Sequence, residues 1–257
     1  MTDDIDEALD WLGNEVDCAS CRHLPQKAAD LCRPKHACVN DRYARRIDRF
    51  FTWNPSFGNS YIRHPHFEVR AIAAKHADIF QLPALLDDPE ETVRWNAARR
   101  LPRRHILRLR SDPHREVRIR IASLLDPADL SPMADDPDYY VRLVVARRVP
   151  PPLLVRMIDD EEPEVRRVVA NRVSVEWLLR ITTDPDPLVR LEAARRLVPY
   201  LLSRLKHDPD WRVRYEVARR SPLEEIHEVI EDDDLLVREL VQSRLSGGKA
   251  HQEGMSV

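Results

Sequence analysis

Apolar residues along most of this chain return with a single spacing. The dipeptide Val-Arg falls every 24 residues, at Val69-Arg70, Val93-Arg94, Val117-Arg118, Val141-Arg142, Val165-Arg166, Val189-Arg190, Val213-Arg214 and Val237-Arg238. Each valine opens a run such as Val93, Ala97, Ala98 and Leu101, whose i, i+4, i+5, i+8 spacing lays one apolar stripe along an α-helix. A helix with one such stripe must bury it on a neighbour, so the strict period predicts stacked copies of one motif, a solenoid. Alanines 74, 98, 122, 146, 170, 194 and 218 share one site, where a small side chain lets adjacent helices approach closely. The rest of each unit, for example Pro102 to Asp112 or Pro199 to Asp208, leaves about ten residues, too few for a second helix of the usual length of about 11. A short helix or 3₁₀ turn is predicted there, with Leu202 and Leu205, or Leu154 and Met157, facing the core. No strand is expected, and HEAT or armadillo units would need about 40 residues each.

Within the unit, Asp88, Asp112, Asp136, Asp184 and Asp208 each precede a proline. They read as N-caps, with the helix starting at the proline. The first unit has His64-Pro65 instead, the last has Asp232-Asp233 with Gln242 at the alanine site, and an internal unit carries Asp160-Glu161 with its proline moved to Pro163. These limits place the array at 59–245, a cysteine-rich head at 1–58, and a disordered polar tail at 246–257.

Composition narrows the function. Only 5 Gly stand against 20 Pro in 257 residues, which disfavours a nucleotide-binding fold. A phosphate loop, a Gly-x-Ser-x-Gly elbow and a His-Glu-x-x-His pair are missing, so a non-enzymatic protein is expected. The acidic N-terminus and the lack of any apolar run approaching about 18 residues suggest a cytoplasmic protein with no membrane contact. Over 61–245 the charges nearly balance, yet 94–120 holds ten arginines against Asp112 and Glu116, while 224–239 is acidic. The paired arginines Arg99-Arg100, Arg147-Arg148, Arg195-Arg196 and Arg219-Arg220 fit solvated scaffolding that answers helix dipoles and pairs with the Asp column of an adjacent unit. Alternatively, the 94–120 strip binds nucleic acid or an acidic protein. The Val-Arg arginine reads as structural, since a binding site rarely needs one contact eight times over.

All four cysteines, Cys18, Cys21, Cys32 and Cys38, lie in the head. An acidic amphipathic segment with Ile5, Leu9, Leu12 and Val16 precedes them, and a basic helical stretch from Asp41 to Phe51 follows. In a reducing compartment such clustering points to a metal. Four thiolates suit either tetrahedral zinc or an iron–sulfur cubane. Cys32 and Cys38 are spaced too widely for a Cys-x-x-Cys knuckle, which favours the larger cluster; Arg22, Lys27, Arg33 and Lys35 would offset the thiolate charge. With four thiols available, His23 and His36 read as bystanders. Full protein ligation leaves no open position for substrate, so electron transfer, redox or iron sensing, or stapling remain.

The unit Asp-Pro-x-x-x-Val-Arg-x-x-Ala-Ala-Arg-Arg-Leu, nearly intact at Asp88 to Leu101 and Asp184 to Leu197, together with the cysteine head, resembles the leucine-rich repeat variant family over nearly the whole chain. The resemblance implies an all-α, right-handed superhelical solenoid of eight 24-residue repeats, each an α-helix plus a short 3₁₀ helix without β-sheet. It implies a small helical head in which Cys18, Cys21, Cys32 and Cys38 hold a 4Fe-4S cluster, zinc being the alternative. It supplies no activity. The expected function is an interaction scaffold with a redox- or iron-responsive head and a protein partner on the solenoid surface, nucleic acid being the alternative partner.

Overall fold

The computed structural model describes residues 7–253 and divides the chain into two compact units, 1–125 and 126–257. In the first, α1 (Leu24–Ala28) and α2 (Ala44–Trp53) belong to the head, and α3 (Phe67–Ala73), α4 (Glu91–Ala98) and α5 (Arg115–Leu124) are repeat helices. The 3₁₀ segments Leu82–Asp87 and Leu107–Ser111 link them. The second unit stacks α6 (Tyr139–Arg148), α7 (Pro163–Arg172), α8 (Pro187–Arg196), α9 (Trp211–Arg220) and α10 (Leu235–Glu253). Its links are again 3₁₀, as at Val155–Met157 and Pro199–Leu205, with a single α turn beside some of them. Among the described residues β-structure amounts to two isolated bridges, Leu9 to Glu15 and Arg33 to Ala37. Helical backbone continues in α10 past Leu245, where no proline stops it, to Glu253; residues 254–257 of the expected tail lie outside the described residues.

The stripe is where its spacing puts it. The repeat valines are at most 1% exposed, and the seven alanines are fully buried, so helix packs on helix through a column of small side chains. Leu154 of the α turn Pro151–Leu154, with Met157, Leu202 and Leu205 of the 3₁₀ segments, closes the other side of the same core.

The joints differ from the expectation. The aspartate before each proline is not the N-cap, and the helix starts later. The caps are Asp138, Asp186 and Asp210, each two residues on; Asp186 Oδ1, for example, accepts the N–H groups of Leu188 and Val189 at 2.8 and 3.2 Å. The Asp-Pro carboxylate is taken by the Val-Arg arginine of the preceding repeat. Arg94 donates from Nε and Nη2 to Asp112 at 2.7 and 2.6 Å, and its Nη1 donates to the carbonyls of Asp88 and Pro89 in its own repeat. Arg70 and Asp88 repeat the pair in the first unit; Arg142 and Asp160, Arg166 and Asp184, Arg190 and Asp208, and Arg214 and Asp232 do so in the second. Each such aspartate also accepts the backbone N–H two residues on, as Asp88 does from Glu90 at 3.0 Å, which fixes the turn before the helix. His64, with no repeat before it to supply an arginine, keeps only that last bond, through Nδ1 to His66 N.

The second arginine in three of the Arg-Arg pairs, Arg100, Arg196 and Arg220, donates to carbonyls of the preceding helix and not to the Asp column. Arg100 donates to the carbonyls of Ala74 and Ala77, and Arg220 to those of Ala194 and Leu197, at the C-terminal end of the preceding helix. Those carbonyls have no partner within their own helix, and a guanidinium satisfies them while meeting the negative end of the helix dipole.

Candidate metal centre

The head has too little chain for a large core, and it is built from turns held by side chains. Residues 7–17 do not form a helix. Leu9 bridges to Glu15 across a turn in which Asp10 Oδ1 accepts the N–H groups of Leu12 and Asn14, both at 2.9 Å, and Gly13 takes φ +87°, a left-handed conformation suited to glycine. Polar capping by Asp10 outweighs the helical spacing of Leu9, Leu12 and Val16; Ile5 lies outside the described residues. The segment is sewn to the rest of the head by Arg42 N to the Leu9 carbonyl and Arg46 Nη1 to the Glu7 carbonyl, at 3.0 and 2.9 Å. Trp11 then covers the start of the array, edge-on to His64 at 4.6 Å and stacked on His66 at 5.8 Å.

Asp17 turns the chain beneath Cys18 and Cys21 by accepting the N–H of Ala19 at 2.7 Å. Cys32 and Cys38 come together through a tight hairpin. Arg33 and Ala37 exchange both backbone hydrogen bonds at 2.8 Å, and Lys35 adopts φ +62° at the tip. The spacing that argued against a second knuckle is thus closed by backbone pairing, and it no longer separates zinc from a cluster. Both of these cysteines are buried, whereas Cys18 and Cys21 are half-buried.

The four thiols lie within electrostatic reach of one another. The Cys38 thiol donates to Cys32, which holds Cys32 below the usual thiol range and pushes Cys38 well above it, burial adding to the second shift. Burial raises Cys18, against the opposing charge of Lys27. Cys21 Sγ accepts from His23 N at 3.4 Å and from Asn40 Nδ2 at 3.5 Å. Tyr61, at the start of the array, faces the same group; burial, with Cys21, Cys38 and Cys32 nearby, pushes its hydroxyl up to about 12. Among the described residues no three His, Cys, Asp or Glu side chains converge as a cage for a metal ion, so the thiols share one neighbourhood without being drawn into a single shell. The donor chemistry fits iron–sulfur ligation: four soft sulfurs, two of them with N–H or S–H donors already aimed at them, beside a lysine.

His23 and His36 stand apart from the sulfurs' shared field. His23 is 2% exposed, its Nδ1 beside Gln26 Oε1 at 3.3 Å and its Nε2 bonded to the Tyr61 hydroxyl, between the rings of Phe50 and Phe57. His36 is exposed and lies against Trp53. Sequence reasoning missed Tyr61 and Asn40 as neighbours of the thiols, because neither belongs to the cysteine spacing.

Beyond the head, the 94–120 strip is only partly available to a ligand. Arg94 is buried against Asp112, Arg100 caps carbonyls, Arg108 pairs with Asp87 and Arg110 bonds the Leu107 carbonyl. Arg99 and Arg120 lie over the Trp95 ring. No helix among the described residues is long and apolar enough to cross a membrane.

Comparison with known proteins agrees with this geometry. The model of the family described as "LRV protein FeS4 cluster" matches residues 8–60. An uncharacterized 27.7 kDa protein in the nifB 3′ region of Rhodobacter capsulatus is 43% identical over 99 residues, which is 38% of this chain and 40% of that protein. The chain thus spans less than half the length of that curated relative. A solved structure described as a leucine-rich repeat variant with a novel repetitive protein structural motif superposes with a TM-score of 0.84 at 40% identity, covering 90% of this chain and 99% of that one. The arginine–aspartate joint, the all-helical stack and the four-cysteine head therefore have one reading: this chain belongs to the leucine-rich repeat variant family and carries that family's iron–sulfur domain at its N-terminal end.

Proposed function

We propose that this protein is a non-enzymatic cytoplasmic interaction scaffold whose head holds a 4Fe-4S cluster through Cys18, Cys21, Cys32 and Cys38 and reports redox or iron status to the repeats. The observation that carries the reading is the shared neighbourhood of the four thiols, three of them, Cys21, Cys32 and Cys38, lying near Tyr61, a residue of the array. Bound there, the cluster would supply one-electron exchange with every iron held by the protein and no position left for substrate. The chain's own part is to bring the sulfurs together and supply donors and countercharge to them. Lys27 lies close enough to offset charge at Cys18, Asn40 and the His23 N–H donate to Cys21, and the hairpin at Arg33 and Ala37 brings Cys32 to Cys38. His23 then links the sulfurs to the repeats, since one neighbour on its chain is the Cys21 turn and its ring bonds Tyr61. On the other side of α2, Phe51 stacks on His76 at 5.9 Å and Asp48 pairs with Lys75 at 2.8 Å. A change in how the head is held therefore reaches the first repeats through packed side chains.

The test is anaerobic purification with an absorption spectrum, EPR before and after dithionite, and metal and sulfide analysis. Four irons with four sulfides and an EPR signal that responds to reduction are expected. One equivalent of zinc without sulfide would overturn the cluster.

A further inference from the structure

A cleft of about 560 Å³ opens in the first unit between the head and the repeats. Arg45 and Asp48 of α2 form one wall, Phe67, Ala71 and Ile72 of α3 an apolar floor, and Trp95, Arg99 and Arg120 the other wall. Asp48 is neutralised by Lys75, and Glu68 stands 3.7 Å from His66. Among the described residues Arg45, Arg99 and Arg120 meet no carboxylate; Arg99 and Arg120 instead lie over the Trp95 indole, 6.0 and 5.4 Å from its centroid.

Two later repeats show what an arginine at this position does when a carboxylate is within reach. Of the counterparts of Arg99 in the second unit, Arg195 and Arg219 have a glutamate one turn earlier, Glu192 and Glu216, paired at 2.9 and 2.8 Å, whereas Arg147 follows Val144. Those glutamates are 7% and 6% exposed, so in these two repeats the chain itself supplies a buried carboxylate to the arginine. In the cleft the same position is Asn96 in α4 and Arg120 in α5. The carboxylate is missing where the guanidiniums are present.

We infer that this cleft docks an acidic segment of a partner protein, whose carboxylates do for Arg99 and Arg120 what Glu192 and Glu216 do for Arg195 and Arg219, and whose apolar side chain sits on Phe67 and Ile72. The inference rests on the scaffold reading and names the chemistry of its partner. The volume suits a few side chains and is within the range of about 300–1,000 Å³ of ordinary ligand sites. Guanidinium forks match carboxylates in bidentate fashion. An indole already engaged by two arginines offers little face for base stacking, the main sequence-tolerant contact to single-stranded nucleic acid.

The test titrates the holoprotein with a fluorescent peptide of alternating Glu and Leu, and separately with oligo-dT, at low salt. Saturable peptide binding is expected, about tenfold weaker in R99E/R120E, consistent with loss and reversal of interfacial charge pairs, and unchanged in R204E. Asn96→Glu places at Arg99 the carboxylate that Glu192 gives Arg195, a residue the same helix position accommodates, and is expected to weaken the peptide similarly. No peptide binding, or binding indifferent to both variants, overturns the inference; so does oligo-dT binding more tightly through the same arginines. Equal peptide affinity with and without the cluster would remove the responsive head of the scaffold reading while leaving the cleft intact.

Discussion

The head and the array solve the same problem by opposite means. In the array one joint is made repeatedly: an arginine bonds the carbonyls of its own turn and the aspartate of the next, and a second arginine closes the preceding helix. In the head every device occurs once, from the Asp17 turn and the Cys32 to Cys38 hairpin to His23 between Gln26 and Tyr61. Repetition spreads stability over many equal contacts, so a lost joint is felt locally. A structure made of single contacts has no such reserve, and a bound group that ties its turns together acts as its core.

Cutting the head at its centre should give the largest effect. Cys32→Ser is expected to abolish iron binding and to remove amide protection over 7–60, while the helical circular dichroism of the repeats persists; loss of both together would show that head and array fold as one. In the array, Arg190→Ala leaves Asp208, whose side chain is 3% exposed, without its guanidinium. Breaking such a buried pair costs about 3–5 kcal/mol, measurable by denaturant unfolding. Ala194→Leu tests the small-residue column, with an expected loss of about 1–3 kcal/mol from overpacking. An unchanged unfolding midpoint would put the packing face elsewhere.

The boundary between the regions should respond to pH. Burial holds His64 and His76 below the usual imidazole value of about 6.5. The unfolded chain therefore takes up these protons first as pH falls, so stability is full above about 6.5 and declines from there toward the depressed folded values. Thermal midpoints between neutral and acid pH should show this decline, and His76→Asn should flatten it. At the far end of the array, Arg214 holds Asp232 below the ordinary carboxylate range of about 3.9. That contribution is present above about 3.9 and fades as pH drops through the lower folded value. Asp232→Asn should remove that acid-limb dependence, the smallest of these effects.

The same contrast explains what the sequence discloses. Val93, Ala97, Ala98 and Leu101 announce their burial because helix geometry alone relates them, and the alanine column follows from the period. The role of Asp112 is hidden, since its partner Arg94 is 18 residues earlier and belongs to another turn. A local reading assigns such an aspartate to the nearest helix. The Cys-rich spacing picks out four candidate ligands, but Lys35 in a left-handed turn, the hairpin it allows and the approach of Tyr61 depend on conformations that no spacing encodes. Leu9, Leu12 and Val16 mislead for the same reason, because a single Asp10 carboxylate and Gly13 redirect the chain.

The arginine joint also sets how such a chain can change in length. Because each guanidinium reaches from one repeat to an aspartate 18 residues on, duplication or loss of one whole period returns the same partners to the same places. An insertion of any other size would leave one arginine facing the wrong residue and one aspartate deserted. Growth by whole repeats is therefore the nearly neutral route, and the ladder acts as a ruler that counts in steps of 24.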